Sequence, residues 1–368
     1  MQRRFMLLAG MMLLIVPAAL RAGDVSVTNV DVYKEPRRFA GWPANGGGWS
    51  WGDEIVVGFQ LGYFKKTLFG HAIDGTKPSV PRFTRSLDGG MTWQTETPSF
   101  LDDEGKEREP TECPGGVDFT HPDFAMRLRM NQNGSVPSRI YYSHDRAKTW
   151  QGPYALPMFG RKRVMARTDY LVLGKHDAMA FVTAAKEDND EGRVFCTRTT
   201  DGGKTWNFVS WIGPEPTGFA IMPSTVRLGD GEFLTTIRRQ EGREHWIDTY
   251  ISSDQGESWE YLNRAAESTG GSVGNPPSTI LLADGRIAVT YGYRSEPYGM
   301  RARLSGDNGR AWGDEIVLRD DAGCWDLGYP QTVQRTDGKI VTIYYHNDSA
   351  DEERYIAATI WEPPPKGE

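Results

Sequence analysis

Apolar residues in this chain occur in short runs that are separated by turn signals, not at the spacing of an amphipathic helix. The segments STILLADGRIAVTYGY, STVRLGDGEFLTTIRR and QTVQRTDGKIVTIYYH each contain an apolar run, an Asp-Gly turn and a second run rich in β-branched and aromatic residues. That combination is typical of a β-hairpin. The pattern therefore predicts an all-β protein.

An eight-residue motif recurs five times among the predicted strands. It reads SLDGGMTW at 86–93, SHDRAKTW at 143–150, TTDGGKTW at 199–206, SSDQGESW at 252–259 and SGDNGRAW at 305–312. Copies begin every 53–57 residues, and a constant period of this kind indicates repeated supersecondary units. Four strands per unit predict the blades of a β-propeller.

The first strands of the repeats predict how many blades the propeller has. They begin near Trp42, His121, Thr168, Met222, Pro276 and Tyr329. We therefore predict a six-bladed β-propeller, in which the early segment DVSVTNVDVY completes the last blade. A pair of β-sandwiches is the alternative, but it does not explain the period.

The repeated motif itself is predicted to be a structural turn between the third and fourth strands of a blade. Its Asp and Ser/Thr side chains suit hydrogen bonds to nearby backbone amides, its Gly suits a positive φ, and its Trp suits packing between blades. No spacing within it resembles a nucleophile and base or a metal-binding loop. The chemistry is expected elsewhere in the chain.

The N-terminus has the features of a secretory signal peptide. Residues 1–22 contain Arg3 and Arg4 followed by an apolar run, with small residues near Ala22. A membrane anchor is the alternative, but the run is short and contains Pro17. We predict a secreted or periplasmic protein whose residues 23–368 form a single domain without a membrane span.

Composition narrows the classes of partner. The net charge of −7, with no clustered Lys and Arg, argues against nucleic acid. Three cysteines in no metal-like spacing allow at most one disulfide bond. No motif for a metal ion or cofactor is present, so no cofactor or metal site is predicted. We also predict a monomer.

The motif S/T-x-D-x-G-x-T-W resembles the Asp-box, or BNR repeat, of the sialidase superfamily, and the resemblance covers nearly all of residues 23–368. It implies a sialidase-like propeller whose substrate is a glycan. Sialidases use three arginines that bind the substrate carboxylate, a Tyr nucleophile activated by a Glu, and an Asp acid/base. By resemblance, GYPQTV carries the nucleophile as Tyr329, and Arg238 and Arg301 are the second and third arginines.

Other positions depart from the family pattern. Met222 stands where sialidases have the activating Glu, and Gly41 stands where they have the first arginine. Only Asp74 is a loose match for the acid/base. Because a tyrosine with a pKa near 10 needs help to attack, these departures predict a related but altered chemistry.

We expect the candidate site at the mouth of the propeller channel, where the first strands begin. The predicted catalytic residues are Tyr329, Asp123, Asp169 and His121, and the predicted substrate-binding residues are Arg238, Arg301, Trp42, Asn45, His71, Asn275 and Asp326.

Three functions remain open. The first is an exported glycoside hydrolase that acts on a terminal acidic sugar such as a sialic or uronic acid, either through Tyr329 or through Asp123 and Asp169 as an acid/base pair. The second is a polysaccharide lyase, or a rhamnosidase-type enzyme, that uses pocket histidines such as His121. The third is a propeller that binds carbohydrate without catalysis.

Overall fold

A computed structural model describes residues 25–67 and 70–366 of the chain. The predicted signal peptide, residues 1–22, lies outside the described residues. Within them the chain forms six antiparallel sheets that correspond to six blades, so the predicted six-bladed β-propeller is confirmed.

The strands of blades one to three are as follows. Blade one contains β2 (Arg38–Gly41), β3 (Gly48–Trp51), β4 (Glu54–Tyr63), β5 (Val80–Ser86) and β6 (Gln94–Glu96), with a short helix α1 (Pro43–Gly46). Blade two contains β7 (Ala125–Arg129), β8 (Arg139–Ser143) and β9 (Gln151–Ala155), with a 3-10 turn at Gln132–Gly134. Blade three contains β10 (Val164–Met165), β11 (Tyr170–Gly174), β12 (Asp177–Ala185), β13 (Glu191–Thr199) and β14 (Asn207–Trp211).

Blades four to six are more regular. Blade four contains β15 (Phe219–Gly229), β16 (Glu232–Glu241), β17 (Glu244–Ser252) and β18 (Glu260–Ala266). Blade five contains β19 (Pro277–Leu281), β20 (Ile287–Tyr293), β21 (Gly299–Ser305) and β22 (Ile316–Arg319). Blade six contains β23 (Gly328–Gln334), β24 (Ile340–His346), β25 (Tyr355–Trp361) and, from the other end of the chain, β1 (Val27–Tyr33).

The pairing of β1 with β25 closes the ring, as the sequence predicted. Thr28 lies opposite Ile360 in this antiparallel pair, so one sheet joins the two ends of the described chain. The core consists of apolar layers between neighbouring blades, and β24 and β25 are buried along their whole length. Full closure leaves few exposed strand edges.

The repeated motif, which we call the Asp-box, connects the third and fourth strands of a blade. In the first copy the Ser86 hydroxyl accepts a hydrogen bond from the Gly90 amide at 2.8 Å, and the Asp88 carboxylate accepts bonds from the Thr92 amide and hydroxyl at 2.9 and 2.6 Å. These bonds from Thr92 lower the pKa of Asp88 to about 2. The Trp of a box packs on the preceding blade, as Trp259 does on Phe181 at 6.1 Å.

Blade two corrects one sequence prediction. Its Asp-box follows β8, so β8 is the third strand of the blade and β7 is the second. Among the described residues no first strand pairs with β7. The Tyr170 hydroxyl and the Thr168 hydroxyl of blade three instead accept hydrogen bonds from the amides of Met126 and Leu128, each at 3.2 Å.

His121 and Asp123 consequently lie at the opposite end of the propeller from the predicted site. They precede a second strand, which starts at the Asp-box end of its blade. The Asp123 carbonyl accepts a bond from the Arg146 amide of the second Asp-box, and its carboxylate lies 2.6 Å from Nε of Arg146. The His121 ring contacts His144 of the same box at 5.3 Å. The prediction that His121 opens an inner strand is wrong because blade two lacks that strand.

Two further properties concern the described part of the chain. Residues 25–67 and 70–366 contain no helix with the length and apolar character needed to cross a membrane. Cys113, Cys196 and Cys324 are free thiols.

Candidate functional site

Three blades interrupt their first strand with a residue in the left-handed region. Trp42, Met222 and Tyr329 have φ values of 59°, 53° and 53°, and a proline follows each of them. This conformation costs roughly 1–2 kcal/mol for a residue other than glycine, and a following proline disfavours it further. Strain of this kind at equivalent positions of blades one, four and six marks the channel mouth as a candidate site.

Asn275 holds the backbone of Tyr329 in this conformation. Its fully buried side chain accepts a hydrogen bond from the Tyr329 amide at 2.8 Å and donates one to the Leu327 carbonyl at 2.9 Å. Gly328 has a φ of 101°, and a Cβ atom there would lie 2.3 Å from the Asn275 amide nitrogen. Asn275 was predicted to bind substrate, but in this structure its polar atoms are used to position Tyr329.

Arginine side chains surround the Tyr329 phenol. Nη1 of Arg238 donates to the Tyr329 oxygen at 3.1 Å, and the Arg294 guanidinium lies 5.5 Å from the ring centroid. Burial by itself would raise the pKa of Tyr329, but the positive charges of Arg238, Arg294 and Arg167 offset it, so that the pKa lies below its usual value of 10. The site therefore favours the phenolate more than water does.

Buried arginines fall into two groups. Eight arginines are buried, and five of them have a carboxylate oxygen within 4.0 Å: Arg85, Arg139, Arg286, Arg301 and Arg354. Arg127, Arg238 and Arg294 have no such partner in the part of the chain that the structure describes. A buried, unpaired charge is costly. Arg238 lies towards the channel-mouth end of β16 and Arg294 directly follows β20, whereas Arg127 lies in the middle of β7.

Arg294 takes the place that was predicted for Arg301. Arg301 lies on the third strand of blade five, where its guanidinium donates to the carbonyls of Arg319 and Pro297 at 2.7 and 2.9 Å and pairs with Glu315 at 3.4 Å. Third strands are displaced outwards from the channel, so Arg301 does not reach Tyr329. Arg294 directly follows β20, a second strand, as Arg238 lies near the end of the second strand β16.

His71 and Asp326 form a hydrogen-bonded pair beside Tyr329. Nδ1 of His71 lies 2.6 Å from an Asp326 oxygen, and the His71 ring centroid is 6.2 Å from that of Tyr329. Although burial opposes it, hydrogen bonding to His71 and the charge of Arg354 hold the pKa of Asp326 well below its usual range. Asp326 is thus a carboxylate that accepts the Nδ1 proton, which leaves Nε2 of His71 for proton transfer.

Aromatic rings enclose His71 on several sides. Its centroid lies 5.1 Å from Trp42, 5.8 Å from Trp325 and 6.3 Å from Tyr345. The side chain of His71 remains 26% exposed, so solvent or a ligand reaches it. Trp42 and His71, two predicted binding residues, therefore lie together with Tyr329, Arg238 and Asp326.

Asp169 lies deeper in the channel. It lines a cavity of about 320 Å³ with Met222 and Ser224, and it accepts hydrogen bonds from the amide and hydroxyl of Thr225 at 3.1 and 2.9 Å. Burial raises the pKa of Asp169 to about 8. Since Asp123 lies at the Asp-box end, the predicted Asp123–Asp169 acid/base pair does not form.

Sequence reasoning missed four residues of this region: Arg167, Arg294, Trp325 and Tyr345. Arg294 was detectable because it follows the second strand of blade five, just as Arg238 lies at the end of the second strand of blade four. Arg167 precedes the predicted residue Thr168 and lies in the break between β10 and β11. Trp325 and Tyr345 carried no signal, because contact with His71 from a distant part of the chain decides their role.

The described residues contain no group of three or more His, Cys, Asp or Glu side chains that is arranged to hold a metal ion.

Comparison with solved structures identifies similar folds. A Dyadobacter fermentans protein of unknown function superposes with a TM-score of 0.69 at 21% identity, covering 91% of this chain and 99% of that one. An α-L-arabinanase from Penicillium chrysogenum gives 0.58 at 16% identity over 94% and 98% of the two chains. A sialidase from Streptococcus pneumoniae gives 0.54 at 12% identity over 91% and 68%. The TM-scores establish a shared fold, and at these identities the likeness shows the fold alone.

No curated protein matches the sequence. The BNR repeat-like domain model matches residues 82–342, which contain all five Asp-boxes. Because the match covers most of the chain and agrees with the confirmed propeller, the protein belongs to the BNR repeat-like domain family.

Proposed function

We propose that this protein is a glycoside hydrolase that acts on a sugar bearing a carboxylate. One observation carries the proposal: Arg238 and Arg294 are buried beside the Tyr329 phenol and have no carboxylate partner among the described residues. Nε of Arg238 and Nη1 of Arg294 have no hydrogen-bond partner among the described residues, and guanidinium donors in this state suit a carboxylate. The sialidase and the arabinanase with similar folds are glycosidases by name.

A loop carbonyl currently occupies one of the arginine donors. Nη2 of Arg238 donates to the Val273 carbonyl, in the loop between β18 and β19. A substrate carboxylate that binds Arg238 at this atom must replace that carbonyl. The neighbouring Gly270, Gly271 and Gly274 have positive φ values, and they give this loop a backbone that few other residues adopt.

Tyr329 is the proposed nucleophile. Its lowered pKa increases the fraction of phenolate, which replaces the carboxylate base that Met222 does not supply. Sδ of Met222 instead lies 3.7 Å from Nη1 of Arg238. In the first step the phenolate oxygen bonds to the anomeric carbon as the bond to the leaving group breaks.

His71 is the proposed acid and base. In the first step its protonated Nε2 gives a proton to the leaving-group oxygen, and in the second step Nε2 takes a proton from the water that attacks the anomeric carbon. That attack releases the sugar and restores the Tyr329 phenolate. Asp326 fixes the ring through its hydrogen bond with Nδ1 of His71.

A lyase is the second candidate, because the same groups suit β-elimination from a uronic acid. The arginines would neutralise the carboxylate, one of His71 and Tyr329 would remove the proton beside it, and the other would protonate the departing oxygen. The absence of a carboxylate next to Tyr329 at position 222 favours this possibility over a sialidase of the usual type.

One experiment separates these functions. The purified protein is incubated with sialyl, uronyl and rhamnosyl glycosides and with acidic polysaccharides, while reducing ends and ultraviolet absorbance are both followed. A hydrolase releases reducing ends without a change in absorbance, whereas a lyase also creates an unsaturated, absorbing product. Turnover of neutral rhamnosyl glycosides alone would contradict the proposed carboxylate site.

We also propose that the protein is exported. The proposal rests on the pattern of residues 1–22. Fractionation of cells that express the full chain, followed by N-terminal sequencing of the mature protein, would test it.

A further inference from the structure

A second pocket lies where blade two has no first strand. It has a volume of about 240 Å³, and its lining includes Trp42, Asn45 and Gln60 of blade one, Arg127 and Arg129 of β7, and Arg167 of blade three. In a complete blade the first strand lies between those of its two neighbours. Here that space is open, and positively charged side chains line it.

Arg127 is the unexplained charge in this pocket. Its side chain is 3% exposed, and its Nε and Nη1 atoms have no hydrogen-bond partner among the described residues. The guanidinium lies 4.8 Å from the Phe100 ring centroid and 5.6 Å from that of Tyr141, contacts that support a cation without neutralising it. Burial lowers the pKa of Arg127 to about 10, so it remains charged at neutral pH.

Neighbouring groups do not neutralise Arg127. The negative charge of Glu107 acts on Arg127, but Glu107 pairs with Arg129 and accepts a hydrogen bond from Tyr141 at 2.7 Å. It does not come within ion-pair distance of Arg127. Nε of Arg167 is a further buried donor without a hydrogen-bond partner among the described residues, whereas the unpartnered Asn45 side-chain oxygen is an acceptor. The pocket therefore presents more donors than the chain itself satisfies.

The pocket adjoins the site around Tyr329. Arg167 lines it, and the charge of the same arginine lowers the pKa of Tyr329. Trp42 also lines it, and the Trp42 ring contacts His71 at a centroid distance of 5.1 Å. A sugar bound at Tyr329 thus has this pocket beside it, in the direction of blades one to three.

We propose that this pocket binds a second anionic group, on the sugar next to the one whose carboxylate binds Arg238 and Arg294. The inference rests on the proposed function and narrows its substrate to glycans with consecutive acidic sugars. A carboxylate and a sulfate ester present the same oxygen acceptors to Arg127, so both belong to this ligand class.

Calorimetric titration with matched disaccharides tests the inference. The probes are a digalacturonate, a diglucuronate and a disialyl disaccharide, each compared with an analogue whose second carboxyl is methyl-esterified and with one that carries a sulfate ester on the second sugar. We expect esterification to weaken binding to the wild-type protein at least tenfold, and the sulfate to restore it. Equal affinity for free acid and ester would overturn the inference.

Variants locate the effect at Arg127. Arg127→Met should abolish the preference for the second anion while leaving the affinity for the esterified probe within about twofold, and Arg127→Lys should keep part of the preference. Arg139→Gln is the matched control, because Arg139 is a buried arginine on the neighbouring strand β8 that pairs with Glu107 at 3.6 Å. A preference that survives in Arg127→Met would overturn the inference.

The two proposals fail in different ways. If the wild-type protein binds an esterified probe but shows no preference for the free acid, only the second anion site is refuted. If it binds none of the probes, and none of the corresponding single acidic sugars, both proposals are refuted. The wild-type comparison of acid with ester remains decisive even if Arg127→Met does not fold.

Discussion

The two ends of the propeller use charged residues in opposite ways. At the Asp-box end, each aspartate accepts hydrogen bonds from residues within four positions of itself, as Asp88 does from Thr92. At the channel mouth, Arg238 and Arg294 are buried against residues of other blades, such as Tyr329 and Tyr345, and lack a counter-ion in the described structure. The first arrangement stabilises the fold, whereas the second is costly unless a ligand completes it.

The same contrast holds for proton equilibria. Hydrogen bonds lower the pKa of the box aspartates Asp88 and Asp201, whereas burial raises that of Asp169 in the channel to about 8. The ionised Asp-box aspartates therefore stabilise the folded protein at pH values above the ordinary carboxyl pKa, and this stabilisation is lost as the pH falls through their lowered pKa values. Asp169 adds stability only while it is protonated. The negative charge of an aspartate is thus favoured at the Asp-box end and opposed at Asp169 inside the channel.

The largest effect is expected for Tyr329→Phe. If the phenol oxygen is the nucleophile, its removal should lower kcat by about 10³-fold or more, since loss of a nucleophile generally has effects of this size. The measurement is turnover of the best substrate from the screen. Tyr250→Phe removes the hydroxyl of another buried tyrosine, on blade four, and should change kcat little. An unchanged kcat in Tyr329→Phe would show that Tyr329 has only a packing role.

The next effect concerns stability and pH. Asp169 keeps its proton in the folded state up to a pKa of about 8 but loses it near 3.8 when unfolded, so the folded protein binds more protons between these values. Stability should then fall as pH rises from 5 to 8, by up to about 1.4 kcal/mol per pH unit.

Asp169→Asn removes this dependence. The variant should show a flatter plot of unfolding free energy against pH, with its advantage over the wild type growing towards pH 8. Urea unfolding at several pH values measures this. A wild-type slope that the substitution leaves intact would show that the Asp169 carboxyl ionises freely in the channel.

A smaller effect is expected from exchanging arginine for lysine at the site. Arg294→Lys keeps the charge but loses the forked donors, so kcat/KM on an acidic substrate should fall about 10–100-fold, which corresponds to the loss of one or two charge-assisted hydrogen bonds. Arg301→Lys is the matched control in the same blade and should leave kcat/KM unchanged. If Arg301→Lys instead loses activity and Arg294→Lys does not, the substrate carboxylate binds Arg301 on the third strand of blade five, not Arg294.

The smallest effect is expected at the Asp-box end. Asp201→Ala removes bonds from the Thr205 amide and hydroxyl at 3.0 and 2.6 Å. By analogy with a lost helix cap, unfolding free energy should fall by about 1 kcal/mol, with KM and kcat unchanged. Thermal unfolding and substrate kinetics of the same preparation provide both readouts. A changed KM would mean that the two ends are coupled.

Prediction succeeded where the determining interactions are local. The Asp-Gly hairpins, the five boxes and their period specify the blades, because each box closes its own turn with side chains a few residues apart. For the candidate site, the sequence pointed to Tyr329, Arg238, His71, Asp326 and Trp42, which the structure brings together. It also pointed to Arg301, which faces backbone carbonyls of its own blade.

Errors arose where position depends on strand order. His121 and Asp123 looked like the start of an inner strand, but blade two lacks its first strand, so they lie beside the second Asp-box. A missing strand leaves no signature in the repeat, because the box that follows the third strand is intact. The same omission opens the pocket around Arg127, which no pattern in the sequence indicated.

The sequence by itself determined the all-β class, the six blades and the closure of the ring by DVSVTNVDVY, since these follow from periodicity and from turn chemistry within single repeats. Only the tertiary structure decided which arginines meet Tyr329, that Asp326 holds His71, and that Arg127 is left without a partner. Those outcomes depend on contacts between residues that are far apart in the sequence. His71 and Asp326, for example, are separated by 255 positions in the chain. Burial, which turns an ordinary arginine into a costly unpaired charge, exists only once the blades have assembled.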